Sequence, residues 1–92
     1  MLLNEEQINE ITQMAELFFN LDEIAANIEV DADEFRTLIM IRTGPAYDAY
    51  MKGWLSGEIP LRKAIAQAAA NGSNPAQQML LNMKATAEIG KL

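Results

Sequence analysis

The chain of 92 residues contains no cysteine and no histidine. Disulfide bonds and thiolate metal sites are therefore excluded, and so are Ser–His and Cys–His nucleophile pairs. Histidine is also the commonest metal ligand and general base in proteins. No glycine-rich phosphate loop and no calcium-binding loop occurs either. We therefore expect a protein that is not an enzyme and that holds no metal and no cofactor.

Long hydrophobic runs are also absent, although half of the residues are hydrophobic. No apolar stretch approaches the ~20 residues of a membrane span, and the start of the chain lacks the pattern of a signal peptide. These features favour a soluble protein with no membrane partner, located in the cytoplasm of the cell that produces it. Since the β-branched and aromatic runs of strands are missing as well, we expect one all-α domain over residues 1–92.

Helix-starting signals recur along the chain and predict about six short helices. Asn4, Asn20 and Asp31 each precede a helix whose third residue is glutamine or glutamate, which is typical of a capping box. The pairs Gly44-Pro45 and Asn71-Gly72 mark two helix ends.

Residues 56–60, Ser-Gly-Glu-Ile-Pro, are compatible with two arrangements. Proline costs ~3 kcal/mol inside a helix, so the pattern favours a break with Pro60 in the first turn of the next helix. The alternative is one long helix with a kink.

Each predicted helix has an apolar face, and these faces are expected to form the core. The aromatic stripe after Gly44-Pro45 is interpreted as core more readily than as a binding site, because a small domain needs its aromatic residues inside. The expected core residues are Ile8, Ile11, Ala15, Phe18, Leu21, Ile24, Ala25, Ile28, Phe35, Leu38, Ile39, Tyr47, Tyr50, Met51, Trp54, Leu61, Ala64, Ile65, Ala68, Ala76, Met79, Leu80 and Met83.

Residues 21–39 have the spacing of two short crossing helices joined by a tight turn, a helix-turn-helix. Ala25 is small where the second helix must approach closely, and Ile28 and Val30 bracket the turn. The turn carries Glu29 where glycine is usual, and a left-handed non-glycine residue costs ~1 kcal/mol. We expect a helix-turn-helix core at about residues 5–43, followed by C-terminal helices at about 46–90.

Charge is distributed unevenly along the chain. The first 35 residues carry ten acids and no base, whereas residues 36–92 carry three acids and all seven bases. A helix-turn-helix usually binds DNA through its second helix, but here that helix starts with Asp31, Asp33 and Glu34, which repel phosphates. Two interpretations stay open: a DNA-binding motif, or a packing unit that makes no DNA contact through this helix.

The candidate DNA-binding residues lie on the second helix of the motif and on the basic segment that follows it. The bases of this segment are suited to holding a phosphate backbone. The alternative is that they are ordinary solvated side chains that pair with nearby acids. The candidates are Arg36, Thr37, Met40, Arg42, Lys52, Arg62 and Lys63.

Three further motifs follow the helix-turn-helix pattern in a characteristic order. They are residues 47–53 (Tyr-Asp-Ala-Tyr-Met-Lys-Gly), Leu-Arg-Lys at residues 61–63, and residues 71–76 (Asn-Gly-Ser-Asn-Pro-Ala). Over about residues 15–85 the chain thereby resembles the terminase small subunits of tailed phages and related phage helix-turn-helix proteins. The resemblance implies a homo-oligomer that forms rings, binds double-stranded DNA and presents it to the large subunit of the packaging motor.

The sequence therefore favours a non-catalytic protein that recognises DNA in viral genome packaging. The alternative is an oligomeric structural or adaptor protein that uses the helix-turn-helix unit for protein–protein contacts. In that case the acidic part of one subunit would meet the basic part of another, head to tail.

Overall fold

The computed structural model describes residues 1–89, which form five α-helices and no strand. The expected all-α class is thereby confirmed. Contacts along the chain divide it into two compact units, Met1–Glu58 and Ile59–Leu92. The helices are α1 (Glu5–Glu16), α2 (Leu21–Asn27), α3 (Ala32–Met40), α4 (Pro45–Ala70), which contributes to both units, and α5 (Asn74–Ile89).

The starts of α1, α2 and α3 are fixed by the caps that the sequence predicts. The Gln7 amide donates to Asn4 Oδ1 at 2.7 Å, and the Asn4 amide donates back to Gln7 Oε1 at 2.9 Å. Asn20 and Glu23 form the same reciprocal pair at 2.8 and 3.0 Å. Asp31 accepts from the Glu34 amide at 2.9 Å. Each cap satisfies amides that the first helical turn leaves without a partner.

The core of the first unit is built from α1, α2, α3 and the beginning of α4. The side chains of Ile11, Ile24 and Phe35 are fully buried, and Tyr47 and Tyr50 pack against them from α4. The predicted core residues of α2 and α3 and the interpretation of these two tyrosines as core are confirmed. The buried members of the cluster are Ile11, Ile24, Ala25, Ile28, Phe35, Ile39, Ala46 and Ala49.

The turn between α2 and α3 closes through a left-handed residue, as the sequence predicts. Glu29 has φ = 60°, its amide donates to Ala26 at 3.3 Å, and the Val30 amide donates to Ala25 at 3.0 Å. This pair of bonds is the Schellman arrangement that ends many helices. Because glycine would occupy the same conformation without strain, Glu29 destabilises the folded state relative to glycine at this position.

We predict that Glu29→Gly is about 1 kcal/mol more stable to unfolding than Glu29→Ala. Both variants remove the same carboxylate, so their difference isolates the strain of a Cβ in the left-handed conformation. Urea denaturation of the two variants measures it. Equal midpoints would mean that the turn is not held in this conformation in solution.

Two glycines allow α4 to approach α1 closely within the first unit. A Cβ built on Gly53 would overlap the carbonyl oxygen of Thr12, and one built on Gly57 would overlap the carbonyl oxygen of Glu16. In each helix the two positions lie four residues, or about one turn, apart. The backbones of α1 and α4 are therefore in direct contact along one full turn.

The predicted break at residues 56–60 is wrong, and α4 is continuous across Pro60. This is why residues 1–89 hold five helices where about six were expected. Proline removes the hydrogen bond that an amide at position 60 would donate to the Ser56 carbonyl. Both Ser56 and Pro60 are exposed, so water can satisfy that carbonyl and the helix continues.

The second unit consists of α4 from Ile59 onward and α5, joined by a tight turn. Gly72 has φ = 95°, and the amides of Gly72 and Ser73 donate to Ala69 and Ala68, as in a Schellman turn. Ser73 then caps α5 by accepting from the Ala76 amide at 3.3 Å. We call this unit the basic hairpin, from the charges described below.

Several residues expected in the core are exposed. Phe18 lies beyond the end of α1, because it takes the left-handed conformation with φ = 64°. In the basic hairpin only two alanines, Ala69 and Ala76, are buried among the described residues. Two helices enclose too little volume to cover all of their apolar side chains. The other expected core residues that are exposed are Leu61, Ala64, Met79 and Leu80.

Candidate functional site

Arg36, the first candidate on α3, is held by carboxylates of α2 and α3. One guanidinium nitrogen donates to Asp22 Oδ1, and the other lies 3.2 Å from Asp33 Oδ1. The hydrogen bond and the charge of Asp22 raise the pKa of Arg36 above its ordinary value, and Asp33 adds to this. The positive charge of Arg36 is therefore already paired with two carboxylates of the protein before any ligand binds.

The other two candidates on α3 are Thr37, which forms a hydrogen bond within the helix, and Met40, which is exposed to solvent. The Thr37 hydroxyl donates to the Asp33 carbonyl at 3.0 Å, so its hydrogen bond is used within α3. Met40 is 73% exposed. The exposed surface of α3 therefore combines acids at the start of the helix with an apolar side chain near its end.

Arg42 and Lys52 are exposed cations of the first unit. Arg42 follows α3 in the left-handed conformation, with φ = 62°, and its amide donates to Ile39 at 3.1 Å. Lys52 lies on α4 immediately before Gly53. Both side chains are suited to contact an anion without unfolding any part of the helices.

Arg62 and Lys63 lie in the basic hairpin and are exposed as well. The structure therefore places the seven predicted DNA-binding residues in two groups. Five belong to the first unit, and Arg62 and Lys63 belong to the second.

The two units carry net charges of opposite sign. Residues 1–58 carry twelve acids and three bases, a net charge of −9, whereas residues 59–92 carry one acid and four bases, a net charge of +3. A polyanion is repelled by the first unit as a whole and attracted by the second. The charge of the compact units thus singles out the basic hairpin as the part suited to an anionic ligand.

The basic hairpin also carries an open apolar groove between α4 and α5, with a volume of about 830 Å³. Ile59, Leu80 and Leu81 line it, and Leu81 is 60% exposed. Arg62, Lys63 and Lys84 belong to the same lining. The groove thus combines an apolar wall with cations.

Sequence reasoning missed this groove because it assigned Met79 and Leu80 to the core. A signal was present: α5 carries apolar residues at positions 79, 80, 81 and 83, which surround the helix on more than one face. A single neighbouring helix cannot cover them all. Met79, for example, is 49% exposed.

Residues 1–89 offer little for other kinds of site. They contain no group of three or more carboxylates that could hold a metal ion. None of the helices in this part of the chain has the length and apolar character needed to cross a bilayer. Phe18 and Trp54 form an edge-on aromatic pair, with ring centroids 6.0 Å apart, so Trp54 packs against Phe18 instead of standing alone as a stacking surface.

Comparisons with known proteins found no family model, no curated protein and no solved structure that matches this chain. The resemblance to terminase small subunits is carried by the sequence motifs alone.

Proposed function

We propose that this chain is a non-catalytic DNA-recognition protein that acts in phage genome packaging and resembles a terminase small subunit. The observation that carries the proposal is the net charge of the basic hairpin. This charge is +3, whereas the net charge of the first unit is −9. Affinity for duplex DNA comes largely from cations that replace counterions at the phosphates. The order of motifs over residues 15–85 supplies the link to packaging.

In this proposal, Arg62 and Lys63 supply the main grip on the phosphate backbone. Lys84 lies on the same groove and adds to the positive field. Arg42 and Lys52 are exposed and offer further phosphate contacts from the first unit. These contacts set affinity and position but carry no base sequence information.

The α3 helix has a smaller role in the grip than the usual helix-turn-helix would give it. Arg36 must exchange Asp22 and Asp33 for a phosphate or a base edge before it contributes, and that exchange offsets part of the gain. Thr37 and Met40 remain candidates for contact with bases. By resemblance, the bound DNA would be presented to the large subunit of the packaging motor.

A second candidate function is that of an oligomeric structural or adaptor protein. It is favoured by two observations: the opposite charges of the two units, and the apolar side chains of the basic hairpin that face solvent. Opposite charges on two surfaces of one chain favour contacts between copies, head to tail.

Gel retardation of a random-sequence duplex at low salt tests the DNA proposal. We expect retardation at micromolar protein, and we expect it to weaken steeply as salt is added, because binding releases counterions. A single-stranded oligonucleotide of equal length serves as the comparison. Absence of any retarded duplex at micromolar protein and low salt would contradict DNA recognition and leave the adaptor function as the better account.

A further inference from the structure

The groove of the basic hairpin leaves three large apolar side chains, Ile59, Leu80 and Leu81, in contact with water. Exposed apolar side chains that lie together beside charged residues are suited to contact with apolar groups of a partner. A phosphate backbone would lose hydration against such a wall and gain nothing in return. The wall of the groove therefore fits apolar side chains, although its cations suit an anion.

The cations of the groove define the charge of the occupant. Arg62, Lys63 and Lys84 are exposed and belong to its lining. An occupant that brings acidic groups beside its apolar side chains is attracted, and one that brings bases is repelled. Two basic hairpins placed face to face would bring six such cations together, which disfavours a symmetric contact of the groove with itself.

A surface of this composition exists on the first unit of the same chain. Residues 16–23, which we call the acidic segment, run from the last residue of α1 into the first turn of α2. Leu17, Phe18 and Phe19 are all exposed, Leu17 by 70%. Glu16, Asp22 and Glu23 flank them and are exposed too. The left-handed turn at Phe18 keeps this apolar run on the surface instead of continuing the buried face of α1.

We propose that the groove of the basic hairpin in one copy binds the acidic segment of a second copy, so that the chain associates head to tail. The proposal rests on the second candidate function and specifies its interface. Leu17 and Phe19 fill the apolar wall, while Glu16 and Glu23 face Arg62, Lys63 and Lys84. Since the two surfaces differ, a pair of copies leaves one groove and one acidic segment unoccupied, and association continues into a ring or a chain.

The test is a mixing experiment with two variants of the full chain, followed by analytical ultracentrifugation at low salt. Leu17→Asp disables the acidic segment, and Leu81→Asp disables the groove. We expect the wild type to form oligomers and each variant alone to associate at least about tenfold more weakly. An equimolar mixture of the two variants should form a heterodimer and nothing larger, because one intact groove meets one intact segment.

Leu2→Asp is the matched control, because Leu2 is almost fully exposed and lies outside both surfaces. It should associate like the wild type, and circular dichroism should show equal helix content in all variants. A wild type that stays monomeric up to millimolar concentration at low salt would overturn the proposal. So would variants whose mixture associates no better than each alone. The basic hairpin is unchanged in Leu17→Asp, so gel retardation of that variant reports DNA binding separately from association.

Discussion

Replacing Gly53 by alanine is expected to lower the free energy of unfolding by about 2 kcal/mol. The same change in an ordinary exposed helix would raise it by about 1 kcal/mol, because glycine is a poor helix former. Here the new Cβ would overlap the Thr12 carbonyl oxygen and lie 3.0 Å from the Ala15 Cβ. These atoms belong to the backbone and a buried alanine of α1, so the helices must separate to make room.

Urea denaturation of Gly53→Ala and Gly57→Ala measures the effect. Ser56→Ala is the matched control, since Ser56 lies between the two glycines on the exposed side of α4. It should change the free energy of unfolding by no more than about 0.5 kcal/mol. The double glycine variant should lose less than the sum of the single losses, because the first substitution already separates the helices. A Gly53→Ala variant more stable than the wild type would contradict the close contact of α1 and α4.

Removing both cations of the proposed grip, by Arg62→Ala with Lys63→Ala, should weaken binding to every duplex alike. Phosphate contacts carry no sequence information, so affinity falls uniformly while any preference among sequences is kept. The dependence of log affinity on log salt should become less steep by up to about two units, one for each cation that no longer meets a phosphate. Fluorescence anisotropy titrations of labelled duplexes at several salt concentrations measure both quantities.

Asp33→Asn with Glu34→Gln is the companion variant for the anisotropy series. It removes two negative charges from the exposed start of α3 and should strengthen non-specific binding only where that surface approaches phosphates. A larger change in DNA affinity for this variant than for the loss of Arg62 and Lys63 would mean that the main phosphate contacts come from α3 and not from the basic hairpin. No response to either double change would mean that DNA is not the ligand.

Local signals in the sequence were sufficient to predict most of the first unit. The capping pairs at Asn4 and Asn20 and the left-handed turn at Glu29 depend on residues within a few positions of one another. The burial of Ile24 and Phe35 follows from helical periodicity. Such features need no knowledge of distant contacts.

The errors arose where the environment decides the outcome. Proline has a high cost in an average helix, but the exposure of Ser56 and Pro60 leaves the unmatched carbonyl in water. Helical periodicity predicts that the apolar residues of α5 are buried, but it does not count how many helices are available to cover them. Gly57 belongs to the predicted break, whereas in the structure it faces the backbone of α1.

The candidate site was predictable in composition but not in geometry. The sequence predicts seven candidate residues and shows the uneven charge, but it does not show the contact of Arg36 with Asp22. These two residues are fourteen positions apart and lie on different helices. Only the packing of α2 against α3 shows that this cation already has carboxylate partners. The proposed grip by Arg62 and Lys63 rests instead on the net positive charge of the basic hairpin.

Titration of the ¹⁵N-labelled full chain with a short duplex, followed by amide chemical shifts, tests the central claim most directly. If the basic hairpin holds the DNA, the largest shifts will centre on Arg62, Lys63 and Lys84 and will disappear at high salt. The amides at the start of α3, from Asp31 to Glu34, will change little. Shifts confined to α3, with the basic hairpin unaffected, would contradict the assignment of DNA binding to the basic hairpin.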